Sequence, residues 1–449
     1  MDYELQFSDK EITPWGGMAL MKRMLERMDM ESILGRLALP QPGSNRGYKP
    51  EQLLQQFMLS IWCGANRFEH TEVTRHDGVL QRLFGWTRMA NFKAITRLFG
   101  KFNQATNDVV FGAWYAWLFQ SLRIGGLTLD LDSTVMTRYG KQEGAAVGYN
   151  PNKRGRLSHH PLLAFVADVQ MVANCWLRPG NTHSANNVDA FLQATLQNLG
   201  DKQVELVRAD SGFSGNSFLE TLEKKPFHYI VALPLRQPLQ RALVSHSGWW
   251  PIHEPGAEGI EIAHFDYQCS TWQRPRRVVA IRQHIGQREQ TTGKTLSLFG
   301  NDPIYQQYRY SVLTTNLKLP ALIIWRTYRG RADCENRIKE LKYDFAADSF
   351  CLNDFFATEA CLNTVMMAYN LMSLFRQTLL KTKPRHTLKT LRYKLFNTAS
   401  YITHEGRKNI LKMALDMKRR AWMTGLWEQS SNLDLPAQFS AIFSADQGP

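Results

Sequence analysis

"GGLTLDLDSTVM" (residues 125–136) marks a change of texture in the chain. A Gly pair precedes a short β-rich run, so a strand opens a new domain here. Alternation puts Leu127, Leu129 and Leu131 on one face and Asp130, Asp132 and Thr134 on the other. Carboxylates in a core strand are costly unless they are paired or hold a cation. A strand whose polar face is simply wet is the plain alternative.

The sequence downstream continues the pattern. "LLAFVADVQMVANCWLRPG" (162–180) reads as a hairpin of two apolar strands, and "ANNVDAFLQATLQNL" (185–199) as a helix. "QVELVRADSGF" (203–213) and "HYIVALPL" (228–235) are further strands. The order β, β–β hairpin, α, β, α, β predicts an α/β sheet with helices on its faces. Residues 236–318 interrupt it with turns and strands, "RRVVAIRQHI" and "YQQYRYSVLTTNL" the clearest, and read as a separate β insertion.

Upstream, residues 1–122 read as helical, with "LPQPGSNRGYKP" (39–50) dividing two parts. Within them "MANFKAITRLFGKFN" (89–103) is a basic amphipathic helix that can either lie on DNA or simply pack. Helical sequence returns after Pro320 and dominates 357–425. The expected divisions are a helical DNA-binding or dimerisation region (1–122), a core in two parts (123–235 and 319–375) around the insertion (236–318), and a basic helical C-terminal region (376–449).

Charge narrows the class of partner. The 449 residues carry a formal net charge of +14, which argues for a polyanion. Residues 381–420 hold twelve Lys/Arg against Glu405 and Asp416, and residues 267–288 hold five Arg and no acid. Solvated helical faces could account for either cluster alone; together they favour a phosphate-binding surface. The six cysteines show no CxxC, which suits a reducing compartment and speaks against zinc. His159 and His160 form the only adjacent histidine pair and read as loop or strand-edge residues. "MDYELQFSDKE" has no apolar core to serve as a secretory signal, and no apolar run is long enough to span a bilayer. The expectation is a soluble cytoplasmic protein with access to nucleic acid.

Two more carboxylates deserve weight. Asp210 ends an apolar strand and precedes Ser211-Gly212, a place where ligand-binding carboxylates concentrate, although Asp-Ser-Gly is also ordinary turn chemistry. Glu335 lies in "YRGRADCENRIKELK" (328–342), which reads as a helix. There Tyr328, Arg331, Glu335 and Lys342 fall within an arc of roughly 60° at ~100° per residue. An i,i+4 pair of Arg331 with Glu335 is the plain reading of part of that stripe, but it leaves Tyr328 and Lys342 unexplained. Two strand Asp residues and one helix Glu suggest a cage for hard divalent cations, which prefer carboxylate oxygen. Two such ions can activate a water or 3′-hydroxyl on one side of a phosphorus and stabilise the leaving oxygen on the other.

The spacing Tyr328-x2-Arg331-x3-Glu335-x6-Lys342 resembles the YREK signature of DDE transposases from bacterial cut-and-paste insertion sequences. "LDLDST" resembles the family's first-Asp motif and selects Asp132 over Asp130. "RADSGF" resembles the second and selects Asp210. "QEGAAVGYNPNKRGRLSHHPLLAF" (142–165) is similar to a loop-and-strand block of one subgroup. The resemblance covers about 125–375.

It implies an α/β, ribonuclease-H-like catalytic core interrupted by a β-strand insertion and flanked by helical regions. It implies catalytic and metal-binding roles for Asp132, Asp210 and Glu335, with two Mg²⁺ ions or Mn²⁺ in their place. Tyr328, Arg331 and Lys342 would then hold transposon-end phosphates. The partners would be double-stranded DNA, as inverted repeats and as target, and a second copy of the chain; the setting would be the bacterial nucleoid. Excision through hairpin intermediates would give an insertion tryptophan a flipped base to stack on. Trp272, beside Arg274, Arg276 and Arg277, is the candidate; Trp249 and Trp250 compete with it, and core packing is the alternative. A repurposed DNA-binding protein without catalysis, or a nuclease that cuts without joining, are the competing functions.

Overall fold

The computed structural model describes residues 3–44, 46–151, 153–284, 308–381 and 385–444. Arg288 of one basic cluster, Lys383 of the other and residues 285–307 of the expected insertion lie outside the described residues. The N-terminal part is helical. Its helices include α1 (Pro50–Trp62), which opens with Pro at the first position, where an amide would have no intrahelical partner. Asn side chains cap α2 (Phe92–Phe99) and α3 (Gln104–Gln120) by accepting amides of their first turns.

The sheet begins at β1 (Leu127–Ser133). A small three-stranded sheet follows, made of β2 (Met136–Thr137), β3 (Ala146–Val147) and β4 (Leu157–His159), with β4 in the middle. The expected hairpin is β5 (Leu162–Val166) and β6 (Met171–Trp176). Then come α4 (Val188–Leu199), β7 (Val204–Ala209), α5 (Asn216–Glu223) and β8 (His228–Ala232). The stretch that the alternation set apart supplies β9 (Trp250–Pro251), β10 (Ile260–Tyr267), β11 (Arg276–His284) and β12 (Tyr308–Thr315).

These strands do not make a sheet of their own. β12 pairs antiparallel with β8, Leu313 opposite Ala232, giving one nine-stranded sheet in the order β9-β10-β11-β12-β8-β7-β1-β5-β6. β1, β7 and β8 run parallel at its centre, and every other pairing is antiparallel. Residues 127–132 are buried on both faces of β1, so the wet polar face does not occur.

After the sheet the chain forms α6 (Ala321–Arg329), α7 (Ala332–Tyr343) and α8 (Phe355–Phe375). α8 is apolar on all sides and packs on β6, α1 and α3. Its buried Asn370 both accepts the Val172 amide (2.7 Å) and donates to the Val172 carbonyl (2.8 Å), closing the sheet's edge strand.

The C-terminal region departs from the all-helical expectation. Residues 400–413 form a hairpin, β13 (Ser400–Glu405) with β14 (Lys408–Met413), before α9 (Met417–Ser431). Its turn holds Gly406 at φ +60°, a conformation that L side chains resist, and that Gly ends any helix running through it. No helix among the described residues is long and apolar enough to cross a membrane.

Candidate active site

Leu131 and Ala209 are register partners in the parallel β1–β7 pair, so Asp132 and Asp210 are the next residues on adjacent strands. Both lie at the carboxyl ends of central strands, the position where α/β sheets bind ligands. Asp132 is buried; its Oδ1 accepts the Ser133 amide at 2.8 Å. Burial pushes its carboxyl up to about 6. The Arg331 guanidinium opposes that rise, while the nearby Asp210 and Glu335 carboxylates add to it. Half-buried Asp210 accepts the Gly212 amide through Oδ1 at 2.9 Å, so the turn chemistry of Asp-Ser-Gly is also real. A Cβ on Gly212 would stand 3.0 Å from that oxygen and from the Ser184 side chain, which explains the glycine. Glu335 is exposed in the first turn of α7, where the helix dipole favours an anion.

The stripe is not one helix. α6 ends at Arg329 and α7 begins at Ala332, and the joint is a tighter turn in which the Arg331 amide bonds Tyr328 O and the Cys334 amide bonds Arg331 O. The cause lies on β7. Arg208 reaches across to Asp130 with two bonds (2.6 and 2.9 Å) and donates Nη1 to the Thr327 carbonyl at 2.6 Å. That carbonyl is the one an α-helical Arg331 amide would use. A Cβ on Gly330 would meet Arg208 Nη1 at 2.9 Å, so the approach needs glycine.

The joint turns three stripe residues inward. The Tyr328 hydroxyl donates to Ala209 O (3.3 Å), Arg331 Nη2 to Leu131 O (3.2 Å), and the Lys342 ammonium to Val135 O (2.8 Å). All three acceptors are carbonyls within three residues of Asp132 or Asp210. Arg331 pairs with Asp132 Oδ2 at 3.0 Å rather than with Glu335. Burial lowers the Arg331 guanidinium, but Asp132, with Tyr328, Cys334 and Asp210 behind it, outweighs burial and leaves it raised, whereas burial pulls the Lys342 ammonium down.

The insertion candidates sit elsewhere. Trp272 is buried, edge-on to Tyr267 and beneath the Arg276 guanidinium, 4.8 Å from its ring centre. Arg276 and Arg274 both bond Glu223 of α5, and Arg277 donates to Leu317 O and Leu319 O. An open stacking ring among free cations is not what the structure holds there, because Glu223 and backbone carbonyls claim the arginines. Trp250 is half exposed, and Trp249 packs against Arg282 and Tyr310. His159 ends β4 and His160 lies in the loop after it, as expected, and both are buried. His159 accepts Arg138 Nε at Nδ1 (2.9 Å) and faces Glu143 O with Nε2, and burial holds it near 4, neutral at pH 7.

Sequence reasoning missed Arg208, and with it the use of Asp130. The signal was present: a lone Arg two residues before Asp210 in apolar "VELVRA" demands a buried partner.

Among the described residues no three His, Cys, Asp or Glu side chains are gathered closely enough to hold a metal ion. The donor chemistry still suits a hard cation. Asp132 and Asp210 stand side by side at adjacent strand ends with exposed Glu335 near them, Arg331 pairs with Asp132, and the Asp132 carboxyl is raised first by burial and then by the Asp210 and Glu335 carboxylates.

A solved piggyBac transposase synaptic complex with hairpin DNA is similar to this chain at 10% identity and a TM-score of 0.44, over 87% of this chain and 82% of that one. No curated protein matches. The family model described as Transposase DDE domain group 1 matches residues 2–433. The chain therefore belongs to the DDE-domain transposases of group 1.

Proposed function

We propose that the protein is the transposase of a bacterial cut-and-paste insertion sequence of the YREK type, with Asp132, Asp210 and Glu335 as its catalytic carboxylates. The observation that carries this reading is the juxtaposition of Asp132 and Asp210 on adjacent parallel strand ends, with the Glu335 helix docked on them through Tyr328, Arg331 and Lys342. An antiparallel β6-β5-β1 unit continued by parallel β7 and β8 supports the ribonuclease-H-like core.

In this mechanism Asp132, Asp210 and Glu335 would hold divalent cations, Mg²⁺ with Mn²⁺ as a substitute, which when bound would supply the positive charge for making a water or a 3′-hydroxyl nucleophilic and for stabilising the leaving oxygen. The chain's own cations do the rest. Arg331 balances Asp132 in the free protein and lies where a scissile-strand phosphate oxygen would sit beside it. Lys342 and Tyr328 exchange backbone carbonyls for phosphate oxygens as the strand enters. The partly desolvated Lys342 ammonium gains most from such an exchange. Binding of the inverted repeats, joining of the freed 3′ ends to target DNA, and a homodimer that holds two ends follow from the same reading. The hairpin route of excision is carried by the resemblance of the motifs.

The test is cleavage of labelled DNA bearing the repeats that flank the gene, with Mg²⁺ or with EDTA. Metal-dependent cuts at the repeat boundary are expected, and they should disappear in D132A, D210A and E335A while binding remains. Specific binding by the wild type with no cutting would instead indicate a repurposed DNA-binding protein.

A further inference from the structure

The block "GYNPNKRGRLSHH" (148–160) has no place in the mechanism above, yet the fold builds it carefully. β2 and β3 flank β4, and each pairs with it antiparallel: Thr137 and Ala146 both face Ser158, and Val147 faces Leu157. β2 and β3 therefore run parallel to each other and leave the small sheet at the same end. Two residues beyond each strand end stands a tyrosine, Tyr139 after β2 and Tyr149 after β3. Between them lies the turn that carries Lys153, Arg154 and Arg156.

Both rings are 74% exposed, beside Val147 at 56%. Other tyrosines of the chain are as exposed; what sets these two apart is that they leave one end of the same small sheet with a basic turn beside them, offering ring faces and cations together. Lys153, Arg154 and Arg156 are exposed as well, and residues 145–160 contain no Asp or Glu. The Lys153 ammonium lies 4.9 Å from the Tyr139 ring centre and bonds its hydroxyl, so aromatic and cation are held together.

The display is anchored from beneath. Buried Arg138 bonds His159 and the Asp348 carbonyl (2.5 Å). Buried Asn150 donates to Thr137 Oγ1 (3.1 Å) and accepts the Lys153 amide (2.9 Å). Tyr139 is seven residues past Asp132, so at ~3.6 Å per residue their backbones stand at most about 25 Å apart. That is roughly seven base-pair rises of DNA.

We infer that Tyr139 and Tyr149, with Lys153, Arg154 and Arg156, form a stacking platform for unpaired DNA bases next to the cleavage site. This deepens the transposase reading and rests on it for the identity of the strand. Unpaired bases are the occupant because duplex bases spend their faces on each other, whereas a single strand offers a π-face at every nucleotide and a phosphate between each pair. The exposed rings take the faces and the basic turn takes the phosphates.

The test uses the full chain and fluorescence anisotropy with labelled oligo-dT of about twenty nucleotides and, in parallel, a random duplex of equal length. Tyr139→Ala and Tyr149→Ala should each weaken oligo-dT binding about tenfold, with Tyr→Phe at either site restoring it and duplex binding changing far less. Removing Lys153, Arg154 or Arg156 should each flatten the salt dependence on oligo-dT by about 0.7 in log–log slope. Unchanged melting temperatures are expected, because every altered side chain is exposed. Oligo-dT binding that survives both alanine variants, or an equal loss on the duplex, overturns the platform. If the wild type cuts repeat ends but does not bind oligo-dT, the platform fails and the transposase reading stands. If the tyrosines are needed for oligo-dT binding but the wild type never cuts, the platform stands and the catalytic reading fails.

Discussion

Asp132 and Asp130 sit two residues apart on one strand and have opposite uses. Asp132 faces the mouth of the sheet with Asp210, while Asp130 is fully buried and closed off by Arg208, itself about 3% exposed. A buried pair of this kind is weak evidence for stability when intact but costly to break, about 3–5 kcal/mol when one partner is removed. Arg208→Met is therefore expected to lower unfolding free energy in urea by that order. Arg208→Lys should also fall short, since an ammonium cannot make the two parallel bonds to Asp130 and the third to Thr327. At the mouth of the sheet, Asp210→Asn or Glu335→Gln should reduce repeat-end cleavage at least about a hundredfold while leaving gel-shift affinity nearly unchanged, because each substitution keeps the side chain's size and an acceptor oxygen, the one on residue 210 still able to take the Gly212 amide. Motif spacing identified these carboxylates as candidates. It could not identify the partner of Arg331, which is not Glu335 four residues on but Asp132, about two hundred residues away in the chain.

Among the elements, the α6–α7 joint shows how a strand shapes a helix. A continuous helix over 328–342 follows from periodicity alone, but Arg208 captures the Thr327 carbonyl and the turn tightens. Gly330→Ala should push against Arg208 and cost about 1–3 kcal/mol of stability, with a larger loss of cleavage as Tyr328 and Arg331 shift. A second contact between elements, Glu223 of α5 with Arg274 and Arg276, has a pH signature. Burial raises the Glu223 carboxyl, but hydrogen bonds from Arg276, Arg274 and Tyr229 outweigh it and bring it to about 2, from an ordinary value of 4.5. A depressed carboxylate stabilises the fold above its unfolded value, and that contribution is lost as pH falls through the folded one. Thermal melts of Glu223→Gln should thus lie below wild type at pH 7, and the two should converge as pH drops from about 4.5 toward 2. At the sheet edge, Asn370→Ala should cost about 1–3 kcal/mol by leaving both Val172 backbone groups unpaired.

For the molecule as a whole, the net charge of +14 sets the scale of DNA binding. Affinity for any duplex should fall steeply between low and physiological salt, each phosphate contact adding about 0.9 to the slope, as anisotropy titrations would show. The basic C-terminal cluster is spread over several elements rather than along one helix face: Lys389, Arg392 and Lys394 precede the β13–β14 hairpin, Arg407, Lys408 and Lys412 lie in it, and Lys418, Arg419 and Arg420 lie in α9.

Sequence alone determined the order of the core strands and the hairpin, and marked three candidate carboxylates and the motif spacings around them, because these depend on period-two alternation, turn residues and fixed spacings that are local. It also marked the 142–165 block without showing what that block exposes. Only the tertiary structure decided that the insertion strands join the same sheet, that Arg208 neutralises Asp130 and tightens the Glu335 helix joint, and that Trp272 is buried while Tyr139 and Tyr149 are not. Each of those outcomes turns on which unpaired backbone group, charge or ring meets a partner far away in the chain, and burial settles that only after the sheet has assembled.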